Sequence, residues 1–273
     1  MRPLTLIKFY IVRSLAFSLK QARNCKGRAI KTPLRAFLLT VLITVSNGAS
    51  GAQPVSEIEW SSWGEFCQIN YILSGYGGGS KYVKRIPIEY AAQRQKQLYE
   101  NLRIPGAHHF CYGVLHLKRA AIGAGTSAQK IASAKNAAGE FYYSYSRLDG
   151  KDPNATTVVL TYYGRALWLS GSRNEAHLIW EEGINGGIAD SSLIVAKAEA
   201  LIGEGNYTAA ESILEQWKTA GTLTPEINYW LAMALCYREK FKLAEEYATF
   251  AEKAGFPAAH LIRLIKMRRC PTS

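Results

Sequence analysis

The chain has 273 residues, 48% of them apolar and 20% charged, a globular balance that excludes wholesale disorder and allows one or two domains. Its formal net charge is +12, but residues 1–52 hold nine Lys or Arg and no acid, and the remaining 24 basic and 21 acidic residues net only +3. A nucleic-acid binder carries its basic face on the folded domain, so nucleic acid is not an expected partner. No apolar run reaches the ~18 residues of a membrane-spanning helix.

The first 52 residues read as a leader. Arg35 precedes the apolar run Ala36–Val45, too short to span a bilayer and suited to a signal-peptide core. Ser50-Gly51-Ala52 then supplies small residues for cleavage before Gln53, which predicts a periplasmic or secreted mature chain. The Arg-rich, acid-free 35 residues ahead of the core also suit a mitochondrial transit peptide or an uncleaved amphipathic anchor. Cys25 lies before the apolar core, which disfavours a lipoprotein.

Residues 53–104 read as an N-terminal helical extension. Ser56 can cap a helix over Ser56–Ser74, and Pro87 can open another over Ile88–Leu102. Between them Gly75-Tyr-Gly-Gly-Gly-Ser80-Lys81 has the look of a phosphate loop. The order of Ser and Lys is wrong for that motif and no strand signal precedes it, so it reads as a flexible linker.

Residues 105–153 form a helical pair, Ala107–Ala121 followed by a longer Ser127–Leu148. Four cysteines follow the leader: Cys67, Cys111, Cys236 and Cys270. A Cys67–Cys111 bridge would tie the extension to this pair, and closing a loop of that size is worth about 4 kcal/mol in a chain-entropy estimate. The other reading is two buried thiols acting as small hydrophobes.

From residue 157 the chain repeats every 34 residues. Ala176, Ala210 and Ala244 fall in one register; so do Leu167, Leu201 and Leu235, and Gly164, Ala198 and Ala232. Gly171 and Gly205 match, with Glu239 as the departure; Tyr207 and Phe241 match, with Arg173 as the departure. Small residues at these sites let paired helices approach, and large apolar ones fill the groove between them. The helix starts are expected at Asn154 or Thr156, Asn174, Asp190, Thr208, Thr224-Pro225 and Pro257, the last helix ending near Arg268. Tyr112-Gly113 echoes Tyr163-Gly164 at a spacing of 51, marking 105–153 as an irregular unit.

Tyr163-Gly164…Leu167…Gly171…Ala176, Ala198…Leu201…Gly205-Asn-Tyr207…Ala210 and Leu231-Ala232…Leu235…Phe241…Ala244…Ala251 resemble the tetratricopeptide repeat (TPR), a 34-residue helix–turn–helix unit. The resemblance implies an all-α, right-handed α-solenoid. It would have units 157–190, 191–224 and 225–258, a degenerate unit 105–153 and a capping helix 259–270. Where the family has Phe this chain has Trp180, and where it has Ala it has Gly183, so distortion is expected near Gly183–Gly187. Glu65-Phe-Cys67 and His108-His-Phe-Cys-Tyr-Gly113 resemble a group of exported bacterial repeat proteins, which supports localisation alone.

In the TPR family partners lie in a concave groove lined by the first helix of each pair. The resemblance places that groove at Thr161, Arg165 and Trp168, at Val195, Glu199 and Ile202, and at Tyr229, Met233 and Cys236. Aromatic, Met and isolated charged residues suit a protein or peptide segment. The other reading is that apolar groove positions pack against the chain's own N-terminal helices. Cys236 and Cys270 sit at one repeat position, and equivalent residues on neighbouring helices lie about 8–10 Å apart, beyond disulfide reach. Cys236 is therefore expected to be a free thiol.

The expected function is an exported protein–protein interaction scaffold with no cofactor and no catalysis. The alternative is a metal-binding or enzymatic protein using His108, His109, Cys111 and His116, the densest group of ligand-type residues. Their spacing matches no familiar zinc pattern and is not the haem-attachment motif. No nucleophile-elbow serine or His-Glu-x-x-His occurs.

Overall fold

The computed structural model describes residues 55–74, 82, 84–123, 125–220 and 224–271. The leader, its cleavage site and the Gly75–Lys81 linker lie outside the described residues. The chain divides into Met1–Gly51 and a compact unit Ala52–Ser273. Everything described is helix, turn or loop. The described residues form twelve helices: α1 (Glu57–Ser62), α2 (Glu65–Leu73), α3 (Ile88–Asn101), α4 (Ala107–Ile122), α5 (Ser127–Tyr145), α6 (Pro153–Ser170), α7 (Arg173–Asn185), α8 (Ser191–Gly203), α9 (Tyr207–Ala220), α10 (Pro225–Tyr237), α11 (Phe241–Lys253) and α12 (Ala259–Lys266). None of them is long and apolar enough to cross a membrane. Consecutive helices pack as pairs, and each pair also packs on the next (α6 on α8, α8 on α10), the layout of an α-solenoid.

Three apolar clusters hold the unit together. The first joins α1–α6 around Ile69, Leu115 and Phe141; the second joins α6–α8 around Leu160, Trp180 and Leu193; the third joins α8–α12 around Leu214, Leu231 and Leu235. All three clusters and both disulfides described below lie within Ala52–Ser273, so this unit holds its core and its crosslinks on its own.

The 34-residue period is written in the turns. Ser172 N–H donates to Leu167 O, Asn206 N–H to Leu201 O and Lys240 N–H to Leu235 O, at 2.9, 2.8 and 3.0 Å. Each bond closes a turn whose preceding residue is left-handed: Gly171 (φ 95°), Gly205 (φ 77°) and Glu239 (φ 59°). Glycine reaches that region without strain, and a glutamate does not. The packing register is equally direct. A Cβ on Gly164 would stand 2.2 Å from Trp180 Nε1, so the indole occupies the space a side chain at 164 would need. The large Trp180 is thus fitted by the absent side chain opposite. Gly113 is matched to Phe141 in the same way between α4 and α5, with a Cβ falling 2.6 Å from the Phe141 ring.

Several expected boundaries move. The stretch over Ser56–Ser74 is two helices, because Trp63 and Gly64 are extended between α1 and α2. Gly64 weakens a continuous helix, and the break lets Trp60 and Trp63 both close on Tyr71, with Trp60 stacked 4.3 Å from Tyr82. Helix α6 is capped by Asp152, not by Asn154 or Thr156: Ala155 N–H donates to Asp152 Oδ1 at 3.0 Å and Pro153 takes the first helical position. The other Asp152 oxygen accepts from Arg103 N–H at 3.1 Å and ties down the approach to α4. Helix α7 begins at Arg173 behind Ser172, one residue before the expected Asn174 cap, because the turn at Gly171 feeds straight into it. Asn206 caps α9 ahead of Thr208, its Oδ1 accepting from Ala209 N–H at 3.3 Å. The distortion expected near Gly183 is absent: α7 runs unbroken to Asn185, and the space at Gly183 is filled by Leu193 and Leu160.

The last helix is also shorter than expected, and this corrects the reading of Cys236. Helix α12 ends at Lys266; Arg268 turns left-handed (φ 53°) and Arg269 N–H closes back on Leu264 O. Cys270 therefore lies beyond the helix, on a returning segment, and not at a helix-surface position. That segment reaches α10, where Cys236 and Cys270 form a disulfide with Cα atoms 5.8 Å apart. Cys236 is not a free thiol. Tyr237 O–H donates to Pro271 O on the same segment.

Candidate functional site

The groove residues divide into two groups. Thr161, Val195, Ile202 and Met233 are buried in helix packing, Thr161 donating its hydroxyl to Thr157 O at 2.8 Å. Cys236 is also buried and lies under the C-terminal segment. Arg165, Trp168, Glu199 and Tyr229 remain half-buried.

Three of those four meet. Arg165 on α6 and Glu199 on α8 are 34 positions apart, and Arg165 Nη2 donates to Glu199 Oε2 at 3.2 Å. Trp168, one turn along α6, donates from Nε1 to Glu204 Oε1 at 2.9 Å. Its ring lies so close to Gly203 that a Cβ there would be 2.8 Å away. Glu204 also pairs with His177 on α7 at 3.0 Å, so the tryptophan's polar edge is fixed from two helices. Arg165, Trp168 and Glu199 line a cleft of about 450 Å³ between α4, α6 and α8. Leu117 and Ala121 from α4, Leu169 from α6 and Ala196 and Ala200 from α8 give it apolar walls, and Lys118 stands at its α4 side.

The electrostatics of the cleft are specific. Arg165 Nε is buried with no hydrogen-bond partner among the described residues, a donor held out of water at a cost of about 1–3 kcal/mol. Lys118 Nζ donates to the backbone and hydroxyl oxygens of Ser62, and burial pushes its ammonium below the usual lysine range.

Tyr229 is not part of this cleft. It packs against Phe256 (ring centroids 5.0 Å) and Trp230. The α4 wall, by contrast, lies outside the expected groove positions. The Tyr112-Gly113 echo of Tyr163-Gly164 at 51 residues places Leu117 at the equivalent of Trp168, so the signal was present in the sequence.

The N-terminal helices do pack against α4, but beside the cleft. Cys67 and Cys111 form a disulfide with Cα atoms 5.2 Å apart, joining α2 to α4. Arg119 donates to both oxygens of Glu59 at 2.6 and 3.1 Å. That bidentate pair, with the Ser56 cap, holds the Glu59 carboxyl down to about 2.

The histidine group behaves differently from a metal site. Cys111 is in the disulfide, so its thiolate is not available as a ligand. His109 Nδ1 lies 2.6 Å from Glu140 Oε2, and its ring stacks on Tyr143 at 3.7 Å, with the Arg147 guanidinium 3.4 Å from the same tyrosine ring. Burial, with His109 beside it, pushes the His108 imidazole below its usual range. Burial, with Arg119 beside it, does the same to His116. Among the described residues no three His, Cys, Asp or Glu side chains come together as a metal site would require.

Two further clefts lie elsewhere on the unit. One of about 580 Å³ lies along Gln95, Tyr99 and Arg103; another of about 670 Å³ lies between α7 and α9, with His177, Lys197 and Glu204. No family model matches the chain, and no curated protein and no solved structure matches it.

Proposed function

We propose that this protein is an exported, TPR-type scaffold that holds a segment of a partner protein in the cleft between α4, α6 and α8. The observation that carries the reading is the cleft itself. Its apolar walls, its half-buried Trp168 and the unpartnered Arg165 Nε form one concave surface on the first helices of successive pairs. A tryptophan anchor beside a hydrogen-bonding arginine is the composition of an interaction hot spot. Arg165 would donate to a backbone carbonyl or side-chain oxygen of the segment, while Leu117, Leu169 and Ala200 would take an apolar side chain. Two disulfides suit an oxidising compartment, which supports export.

The test uses Ala52–Ser273 as bait in native envelope extract, beside Arg165→Ala and Trp168→Ala variants whose thermal unfolding is checked first. A partner that binds the wild type and weakens by roughly 30-fold in a folded variant supports the cleft, a hot-spot effect of about 2 kcal/mol. A partner retained equally by both variants overturns it.

A further inference from the structure

The charge of the folded unit is not evenly spread. Beyond Glu252 the chain has five basic residues (Lys253, Arg263, Lys266, Arg268 and Arg269) and no acid. Residues 53–252 hold 19 basic against 21 acidic residues, so the body is slightly negative and the C-terminal cap carries the whole positive excess.

The fold turns that segment into a surface. Helix α12 buries Leu261 and Ile265 against the third cluster. Arg263, Lys266 and Met267, three and four residues apart, share its outer face and are exposed. Arg268 and Arg269 extend the face past the helix end and are also exposed. Helix-end electrostatics account for part of this, since cations are favoured near a helix C-terminus, and Lys266 pairs with Glu245 at 3.5 Å. They do not account for the rest. Lys253, Arg263, Arg268 and Arg269 have no acidic partner among the described residues. Arg268 holds the left-handed turn (φ 53°) that glycine would take without strain. The Cys236–Cys270 disulfide then pins the returning segment to α10, so the basic turn is held in place.

We propose that this capping surface docks on an anionic lipid leaflet. A cluster of four to eight basic residues reads as acidic-lipid binding, and here it surrounds an apolar side chain, Met267, that is 58% exposed. A lipid interface accommodates an apolar side chain between cations; a polyanion backbone would use the cations alone. Helix α12 packs on α11, whereas the cleft is built from α4, α6 and α8, so docking through the cap leaves the cleft open.

The test is co-sedimentation of Ala52–Ser273 with vesicles, either phosphatidylcholine alone or an equimolar mixture with phosphatidylglycerol. Binding is expected only to the anionic vesicles, and R268Q/R269Q should weaken it roughly 30-fold, at about fivefold for each lost cation. Both side chains are exposed, and the disulfide and thermal unfolding of the variant are checked to show that it folds. R263Q with K266Q, both on the outer face of α12, is a second pair expected to weaken binding. Met267→Ser should weaken binding to vesicles without changing binding to heparin. Equal binding to both vesicle types, anionic binding indifferent to the arginine pair, or heparin binding in the absence of vesicle binding would each overturn the proposal.

Discussion

The pairing of Gly164 with Trp180 can be tested by exchanging it for the pairing found one repeat later. Trp180 is fully buried, and its indole lies where a side chain at 164 would project, 2.2 Å from Nε1 and 2.5 Å from Cε2. Gly164→Ala should gain about 1 kcal/mol of helix propensity. It should also force a rigid ring, or the α6–α7 spacing, to shift by about 1 Å, an overpacking penalty at the upper end of ~1–3 kcal/mol. The net expectation is ~2 kcal/mol of destabilisation, a fall of about 4–8 °C in Tm for a unit of this size. Thirty-four residues on, the corresponding pair is Ala198 with Leu214. Trp180→Leu alone should destabilise by ~2–4 kcal/mol through the cavity it leaves. In that background Gly164→Ala should become neutral or stabilising, because the added methyl enters the vacated space. Urea unfolding of Ala52–Ser273 for the four members of the cycle measures a coupling expected at about 2–3 kcal/mol. Additivity within ~0.5 kcal/mol, or a Gly164→Ala variant as stable as the wild type, would refute the argument that this contact sets the spacing of the pair.

Three further outcomes follow from single features. Glu239→Gly removes a left-handed non-glycine residue from the turn that Gly171 and Gly205 make elsewhere, and should stabilise by ~0.5–1 kcal/mol by thermal denaturation; a loss of stability would mean that the glutamate has a compensating contact. Because Glu59 titrates near 2 when folded, against about 4.3 when unfolded, its contribution is complete above the unfolded value and disappears as pH falls toward 2. The contribution should be up to about 2 kcal/mol after allowance for solvent screening, so Glu59→Gln should flatten the stability–pH curve between about pH 4.5 and 2 while lowering stability at pH 7. Cys67→Ala/Cys111→Ala opens a crosslink with a sequence separation of 44 and should cost about 2–4 kcal/mol; a loss confined to the α1–α2 region by hydrogen exchange would match its role in joining α2 to α4.

The fold was legible where one residue type has one physical role. Leucine and alanine at 34-residue intervals fixed the helix pairs, and Asp190 and Thr224-Pro225 fixed helix starts, because caps and close-packing positions admit few residue types. The first unit's cap, Asp152 before Pro153, lies just outside the 34-residue register, although aspartate before proline is itself a start signal. The Cys236–Cys270 bond was hidden for a related reason. Periodicity put both cysteines on equivalent helix positions, but α12 stops early and a strained arginine, not a glycine, makes the reversing turn. Glu239 shows the same effect within the repeats: the conformation is kept where the residue that signals it has been lost. In the cleft, Arg165, Trp168 and Glu199 were legible because they share one register. The buried Thr161, Val195, Ile202 and Met233 share it too. Sequence spacing reports which helix carries a residue, whereas the angle between neighbouring pairs decides which residues stay accessible.

That angle also bears on how the cleft arises. A regular array would place another 34-residue unit ahead of α6; instead α4 and the 19-residue α5 stand there at a spacing of 51. Helix α4 is also held by the extension, through the Cys67–Cys111 disulfide, the Glu59–Arg119 pair and the Lys118–Ser62 contact. The three contacts lie along α4, the last two near its C-terminal half, from which Leu117, Lys118 and Ala121 wall the cleft. Among the described residues, none of the extension lines the cleft. The extension positions the wall, and Lys118 is oriented by Ser62 while lining the cleft. On the proposed reading, loosening the extension should weaken partner binding without touching a cleft residue. Glu59→Gln releases Arg119 from a charged partner but leaves Leu117, Arg165 and Trp168 in place, and it should reduce affinity by a few-fold at pH 7, within the ~0.5–2 kcal/mol range of indirect coupling. The same substitution in a Cys67→Ala/Cys111→Ala background should reduce affinity further, since two supports of one helix would then be lost. Affinity unchanged in both backgrounds would show that α4 keeps its place without the extension, and the cleft would then rest on α6 and α8 alone.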